Sequence, residues 1–389
     1  MTAPRVFIVS RCAWTLYNFR RSLIQNIASE AMEVSAVGAG GDGYEDKLRG
    51  DGVNFVPIPL SMKGLDPLQD AGLLLRLVVM FYRQRPTLVH NFTIKPAIYA
   101  TLAAWLAGVP VRVVTITGLG HAFMRERSFL RRVVERLYRL ALARADVVFF
   151  QNRDDRDLFL ARNLVAADKC RLIAGSGVDL RHFQMAPLPY RREGKITFLM
   201  IARLLREKGI AEFVAAAEQV KRRHPDAVFK LVGGVDSRNP SGLSAEAFAA
   251  LNQNGAVEWL GEVSDVRPVI QSADVVVLPS YREGVPRSLL EGAAMGRALI
   301  ASDAVGCKDV VADTVTGYLV PVGNAGALAD ACCRFCEQNA RIDEMGKAAR
   351  AMVAEHYDEA MVIEQTIGVY RELLTRKVGH DPPHPPRTQ

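Results

Sequence analysis

Glu283 and Glu291 stand eight residues apart in the run E-G-V-P-R-S-L-L-E-G-A-A-M-G-R, residues 283–297. A strand-like stretch, Asp274–Leu278, precedes it, and Pro286 suits the first turn of a helix. Glu283 then lies in the loop before that helix and Glu291 about one and a half turns inside it. Both carboxylates can face one pocket at the strand ends, where they suit bidentate hydrogen bonding to vicinal hydroxyls of a sugar or ribose. Gly284, Val285 and Pro286 lead into the helix. Gly284 leaves room for a ligand, and amides at a helix N-terminus can hold phosphate.

A second set lies earlier. The strand-like run Ile196–Ile201 ends at A-R-L-L-R-E-K-G, residues 202–209, so Arg203 and Lys208 sit between a strand end and a helix start. Cations there form a good diphosphate site. The next strand-like run, Val228–Val232, ends at Gly233 and Gly234, where a ligand can approach the backbone closely.

The elements that would position these residues alternate along the whole chain of 389 residues. Strand-like runs at Arg5–Ser10, Glu33–Val37, Val53–Ile58, Leu88–His90, Val111–Thr115, Asp146–Phe150 and Cys170–Ile173 are separated mostly by helical patterns. The alternation restarts at Ile196 and continues through Val257–Leu260, Ala298–Ala301 and Gly317–Val320. Near-continuous apolar strands between helices predict parallel sheets covered on both faces. The chain is therefore α/β, with two doubly wound, Rossmann-like units split near a polar, Pro-containing stretch at Pro187–Gly194. The expected divisions are 1–187, 188–360, a helix over 361–378 that returns to the first unit, and a disordered tail at 379–389. In such sheets ligands bind beyond the carboxyl ends of the strands.

Charge is uneven. Residues 1–189 hold 25 Lys+Arg against 16 Asp+Glu, giving +9, whereas residues 190–389 come to −2. Seven arginines fall within residues 125–144, Arg131 and Arg132 among them, interleaved with apolar residues. This reads as a basic amphipathic helix suited to an anionic membrane surface, with nucleic acid as the competing polyanion. Leu68–Arg85 is a second candidate, since Arg76, Arg83 and Arg85 interrupt a strongly apolar run. No apolar run reaches the roughly 18–20 residues of a membrane span, and no secretory signal opens the chain. The six cysteines are irregularly spaced and read as small core residues, Cys333 and Cys336 included.

The run at 283–297 resembles the E-x7-E motif of family 4 retaining glycosyltransferases of the GT-B fold. Arg203 and Lys208 match that family's basic pair, and G-S-G-V-D at 175–179 with Phe183 is similar to its N-G-V-D-x-x-x-F stretch. The strings N-F-R (18–20), H-N-F-T-I-K-P (90–96) and T-G-L-G (117–120) resemble the subgroup that extends undecaprenyl-diphosphate-linked oligosaccharides, N-acetylgalactosaminyl- and galactosyltransferases among them. The resemblance implies transfer with retention and without a bound metal or other cofactor, the nucleotide-sugar serving as co-substrate. Arg203 and Lys208 would hold the donor diphosphate, Glu283 the transferred sugar and Glu291 the ribose. The first unit departs from the family where a glycine-rich turn usually follows the first strand. There the chain reads Ser10-Arg11-Cys12-Ala13-Trp14. Gly118 and Gly120 can still admit the donor, and His121 is a candidate sugar contact. His90 and Lys95, at a strand-to-helix junction, are candidates for the acceptor, with Lys95 meeting its diphosphate.

The expected partners are a UDP-sugar, a polyprenyl-diphosphate-linked glycan and an anionic membrane surface, with no nucleic acid. The expected location is the cytoplasmic face of the inner membrane, peripherally bound. A nucleotide-sugar epimerase or hydrolase on the same scaffold stays open. An NAD-dependent oxidoreductase stays open too, although no G-x-G-x-x-G follows either first strand.

Overall fold

The computed structural model describes residues 3–60, 66–118, 129–189, 195–236 and 239–379. The tail beyond Gly379 and the stretch at 190–194 lie outside them. The chain divides into two compact units, residues 1–176 with 361–389, and residues 177–360.

The first unit is built on seven strands: β1 (Arg5–Cys12), β2 (Glu33–Ala39), β3 (Asn54–Pro57), β4 (Leu88–Phe92), β5 (Val111–Ile116), β6 (Val147–Phe150) and β7 (Cys170–Leu172). Their order is β3-β2-β1-β4-β5-β6-β7, and every neighbouring pair is parallel. Val147 to Phe150 are all buried, because helices cover both faces and leave no polar side to alternate with. One layer holds the helices Pro67–Gln84, Thr101–Leu106 and Phe129–Arg144, whose Leu73, Leu77, Tyr138 and Leu142 share a core with Phe7, Val89 and Val114. The other holds Ala13–Ser29 and the C-terminal helix Glu359–Val378.

The second unit carries β8 (Thr197–Ile201), β9 (Val228–Val232), β10 (Glu258–Trp259), β11 (Val275–Leu278), β12 (Ala298–Ser302) and β13 (Gly317–Val320). Their order is β10-β9-β8-β11-β12-β13, again all parallel.

The stretch up to Pro187, which by composition ends the first half, is folded onto the second unit from Gly177 onward. Val178 pairs with Asp358. Arg350 donates to the carbonyls of Phe183 and Ala294, and the fully buried Arg297 donates to those of Ala186, Pro187 and Ala273. Two arginines thus use loop and helix-end carbonyls as partners, satisfying groups that would be costly to bury unpaired.

The C-terminal helix is tied to the first sheet by a polar contact inside the core. One ring nitrogen of His90 bonds Tyr370 Oη at 2.5 Å and the other bonds Thr115 Oγ1 at 2.7 Å. Burial, aided by the charge of Arg20, holds the imidazole well below its ordinary value of 6.5, so it stays neutral. The unfolded chain takes up a proton near pH 6.5 and the folded one does not, so stability falls as pH drops below that value. Tyr370→Phe is expected to cost about 1–2 kcal/mol, read as a lower first melting transition in calorimetry. His90→Gln is expected to flatten the acid-side fall of that transition; an undiminished slope would place the titrating group elsewhere.

Candidate active site

In the second sheet the strand order reverses between β8 and β11, which opens a crevice beyond their carboxyl ends. The loops leaving these two strands are joined directly. The carbonyl of Glu207 accepts from Ser280 Oγ at 3.0 Å and from the Tyr281 amide at 2.9 Å. Tyr281 Oη in turn donates to Glu212 at 2.6 Å, which raises the phenol to about 12.

This joint brings the sequence-predicted charges together. Lys208 Nζ bonds Glu283 Oε1, and both side chains are largely buried. Arg203 donates to Asp236 Oδ2 at 2.5 Å. Glu291 accepts from Arg287 Nε at 3.2 Å, one helical turn away. Burial pushes the Glu291 carboxyl up, and the Arg287 charge partly offsets this. The four expected residues thus stand at one sheet edge as members of three ion pairs. The partners Asp236 and Arg287 were not singled out from sequence. Asp236 had one signal, its place just after the Gly233-Gly234 turn.

The backbone around the pairs tolerates no side chain at several glycines. A Cβ on Gly233, at φ +152°, would lie 1.8 Å from the Ala202 carbonyl oxygen. One on Gly209, at φ +78°, would lie 2.2 Å from that of Pro279. Gly306, at φ +82°, packs under the catalytic-loop candidate: its Cβ would meet the carbonyl oxygens of Glu283 and Gly284 at 2.5 Å each. Val305 completes the support by accepting from the Glu283 amide at 2.9 Å. Gly284 and Pro286 are buried and Val285 half-buried in this turn. Cys307 is fully buried, and its burial, with Glu283 nearby, pushes the thiol far up.

The candidates of the first unit fare differently. His90 is buried with both nitrogens engaged, so it braces the C-terminal helix instead of facing a ligand. Lys95 lies just beyond β4, near that sheet's own reversal point between β1 and β4. It is held by Asp70 at 2.7 Å, and Asp70 also accepts from Tyr99 Oη at 3.1 Å. Gly118 follows β5 with φ +123°. Gly120 and His121 lie outside the described residues. Arg131 is mostly buried and bonded to Glu135, which also bonds Arg162, whereas Arg132 is exposed. Four cysteines are buried in the cores, and Cys170 and Cys336 are half-buried; all six are free. Among the described residues no group of three or more His, Cys, Asp or Glu could hold a metal ion.

Two doubly wound parallel sheets of these strand orders make a GT-B architecture. Residues 189–352 match the model of glycosyl transferases group 1, and residues 18–175 match a glycosyl transferase 4-like domain. The chain belongs to the GT-B glycosyltransferases. It is 29% identical over 386 residues to the N,N'-diacetylbacillosaminyl-diphospho-undecaprenol alpha-1,3-N-acetylgalactosaminyltransferase of Campylobacter jejuni, covering 95% of this chain and 99% of that one. It is 23% identical to the UDP-Gal:alpha-D-GlcNAc-diphosphoundecaprenol alpha-1,3-galactosyltransferase of Escherichia coli, over 84% of this chain and 86% of that one. In fold it is similar to a glycosyltransferase from Rickettsia africae, with a TM-score of 0.78 at 19% identity over 96% and 99% of the two chains.

Gly306→Ala is expected to displace the 283–284 turn. The expected reading is a fall in sugar-transfer rate of at least about tenfold, since a shift of an ångström at a positioning group can cost more. The melting of the second unit should fall by a few degrees as well. Unchanged transfer would mean that the turn's position is not set by this contact.

Proposed function

We propose that the protein is a retaining, metal-independent glycosyltransferase that moves a hexose or N-acetylhexosamine from a UDP-sugar to a lipid-diphosphate-linked glycan. The observation that carries this reading is the Lys208–Glu283 pair at the reversal point of the second sheet, with Arg203 just past the end of β8. Lys208 and Arg203 compensate the charge that grows on the diphosphate as the sugar leaves. Glu283 orients the sugar's hydroxyls, Glu291 takes the ribose, and the amides about Gly284 and Val285 approach phosphate oxygens. The acceptor hydroxyl attacks the anomeric carbon on the face from which the diphosphate departs. The bond from that carbon to the phosphate oxygen breaks, the new glycosidic bond forms, and the acceptor's proton passes to the departing oxygen.

Two comparisons support the finer points. Both named relatives act on undecaprenyl-diphosphate-linked acceptors and make α-1,3 linkages. UDP-hexoses of the gluco and galacto series carry the sugar in α linkage, so an α product means retention. No helix among the described residues is long and apolar enough to cross a membrane. Such an acceptor calls for peripheral binding at the cytoplasmic face of the inner membrane, where the basic first half meets anionic lipid.

Nucleotide release from UDP-, GDP- and ADP-sugars, with and without a bacterial lipid-linked oligosaccharide extract, tests the proposal. UDP release that requires the lipid is the expected result. Release without lipid would indicate an epimerase or hydrolase instead. Glu283→Ala is expected to lower lipid-dependent release by at least about a hundredfold while circular dichroism stays unchanged; near-normal turnover would remove Glu283 from the site.

A further inference from the structure

The helical layer of the first unit formed by Pro67–Gln84, Thr101–Leu106 and Phe129–Arg144 has an outer surface of unusual composition. These helices pack side by side. Seven of the fifteen exposed large apolar side chains among the described residues lie on these three helices: Leu68, Leu75, Val79, Tyr82, Trp105, Leu106 and Leu140. The C-terminal helix on the opposite layer shows two, Met361 and Val378.

Four of the seven form one line. Leu68, Leu75, Val79 and Tyr82 follow one another at intervals of seven, four and three, a single stripe of an α-helix. The inward stripe of the same helix is Leu73, Leu77 and Phe81, which are buried against the sheet. The helix is therefore apolar on two sides, and only one side has a partner. Leu68 is 86% exposed and Tyr82 66%, too much for side chains that merely edge a core.

The exposed charges on these three helices have one sign. Arg76, Arg83, Arg132, Arg136, Arg139 and Arg144 are all exposed on these helices. The described acids on them are turned inward: Asp70 is buried against Lys95 and Tyr99, and Glu135 is held by Arg131 and Arg162. These three helices therefore expose no carboxylate among the described side chains. At one end of the layer Arg144 stacks over Trp105 at 4.2 Å. Beside them opens a cavity of about 330 Å³ whose wall carries five cations, Lys169 and Arg171 among them, against three carboxylates.

We infer that this helical layer is the surface by which the protein lies on an anionic bilayer, and that the Leu68–Tyr82 stripe is the part that enters the lipid. The inference rests on the lipid-linked acceptor proposed above, but it concerns a different part of the molecule from the transfer site. An apolar stripe on a layer whose helices expose arginines and no carboxylate fits an interface of acyl chains and phosphates. Guanidinium groups bind phosphate in a bidentate fork, and amphipathic helices bury their apolar face at the headgroup boundary. A second copy of the chain fits poorly, because this face would set arginines against arginines. The basic helix singled out from sequence becomes the electrostatic flank of the surface, through Arg132 and Arg136 more than the internally paired Arg131.

Flotation of the full chain with phosphatidylcholine vesicles, with and without phosphatidylglycerol, tests this. Binding is expected only to the anionic vesicles, with a blue shift of tryptophan emission that Trp105→Phe removes. The double variant Leu75→Asp with Tyr82→Asp is expected to bind at least about tenfold more weakly, since each buried apolar group contributes to insertion. Met361→Asp is expected to bind as the parent chain does. All of these positions are exposed, so melting temperatures should be unchanged, which separates loss of binding from loss of fold. If the double variant floats like the parent, or if it abolishes a concentration-dependent self-association seen by light scattering, the surface is not a lipid-binding one. Transfer to a short-chain, water-soluble acceptor by the double variant separates the two proposals. It should persist when only the membrane surface is lost, and absence of transfer by the parent chain as well would count against the transferase reading.

Discussion

The carbonyl oxygen of Glu207 joins the two loops on which the site in the second unit depends. It accepts from the Ser280 hydroxyl and the Tyr281 amide, so the chain leaving β8 and the chain leaving β11 become one rigid edge. Gly209 makes the approach possible, since any Cβ there would collide with the Pro279 carbonyl. Once the two loops are joined, Lys208 and Glu283 meet although seventy-five residues separate them. Gly306 and Val305 then hold Glu283 from the other side. Side-chain chemistry at this edge is thus set by backbone contacts.

The resting site balances its own charge. Lys208 is matched by Glu283, Arg203 by Asp236 and Glu291 by Arg287. Breaking a buried pair without replacement leaves an uncompensated charge, which is costly. A ligand that brings both a diphosphate for the cations and hydroxyls for the carboxylates can replace both halves at once. A bare phosphate offers only one half. In the reaction proposed above, the pairing therefore favours a ligand that carries both parts over a bare phosphate.

The strands could be read from sequence because they are continuous apolar runs bounded by polar turns, and β9 and β13 coincide with those runs at both ends. The run at 283–297 was legible because proline, glycine and two glutamates at that spacing are uncommon together. Pairings were not legible. Arg203 with Asp236 and Lys95 with Asp70 depend on which loops the topology brings side by side, and local patterns carry no such information. His90 reads as a junction residue, yet strand alternation turns its ring into the core, where Tyr370 meets it from the far end of the chain. Likewise, the 67–84 helix is apolar on two sides, and periodicity alone does not say which side the sheet covers.

The C-terminal helix has a consequence for the order in which the protein forms. Its Tyr370, Leu373 and Leu374 are fully buried in the first unit, packed in the same core as Val6, Ile8 and Leu88. On a ribosome the first sheet therefore emerges early but lacks part of one layer until the residues around 374 have been made. The second unit is contained within 177–360, so every residue of its core is available sooner. The half made first is the half finished last. In the interval the part of that layer's face that the C-terminal helix covers, beside His90 of β4, stays open, and a chain stalled or cut before that helix would keep it so.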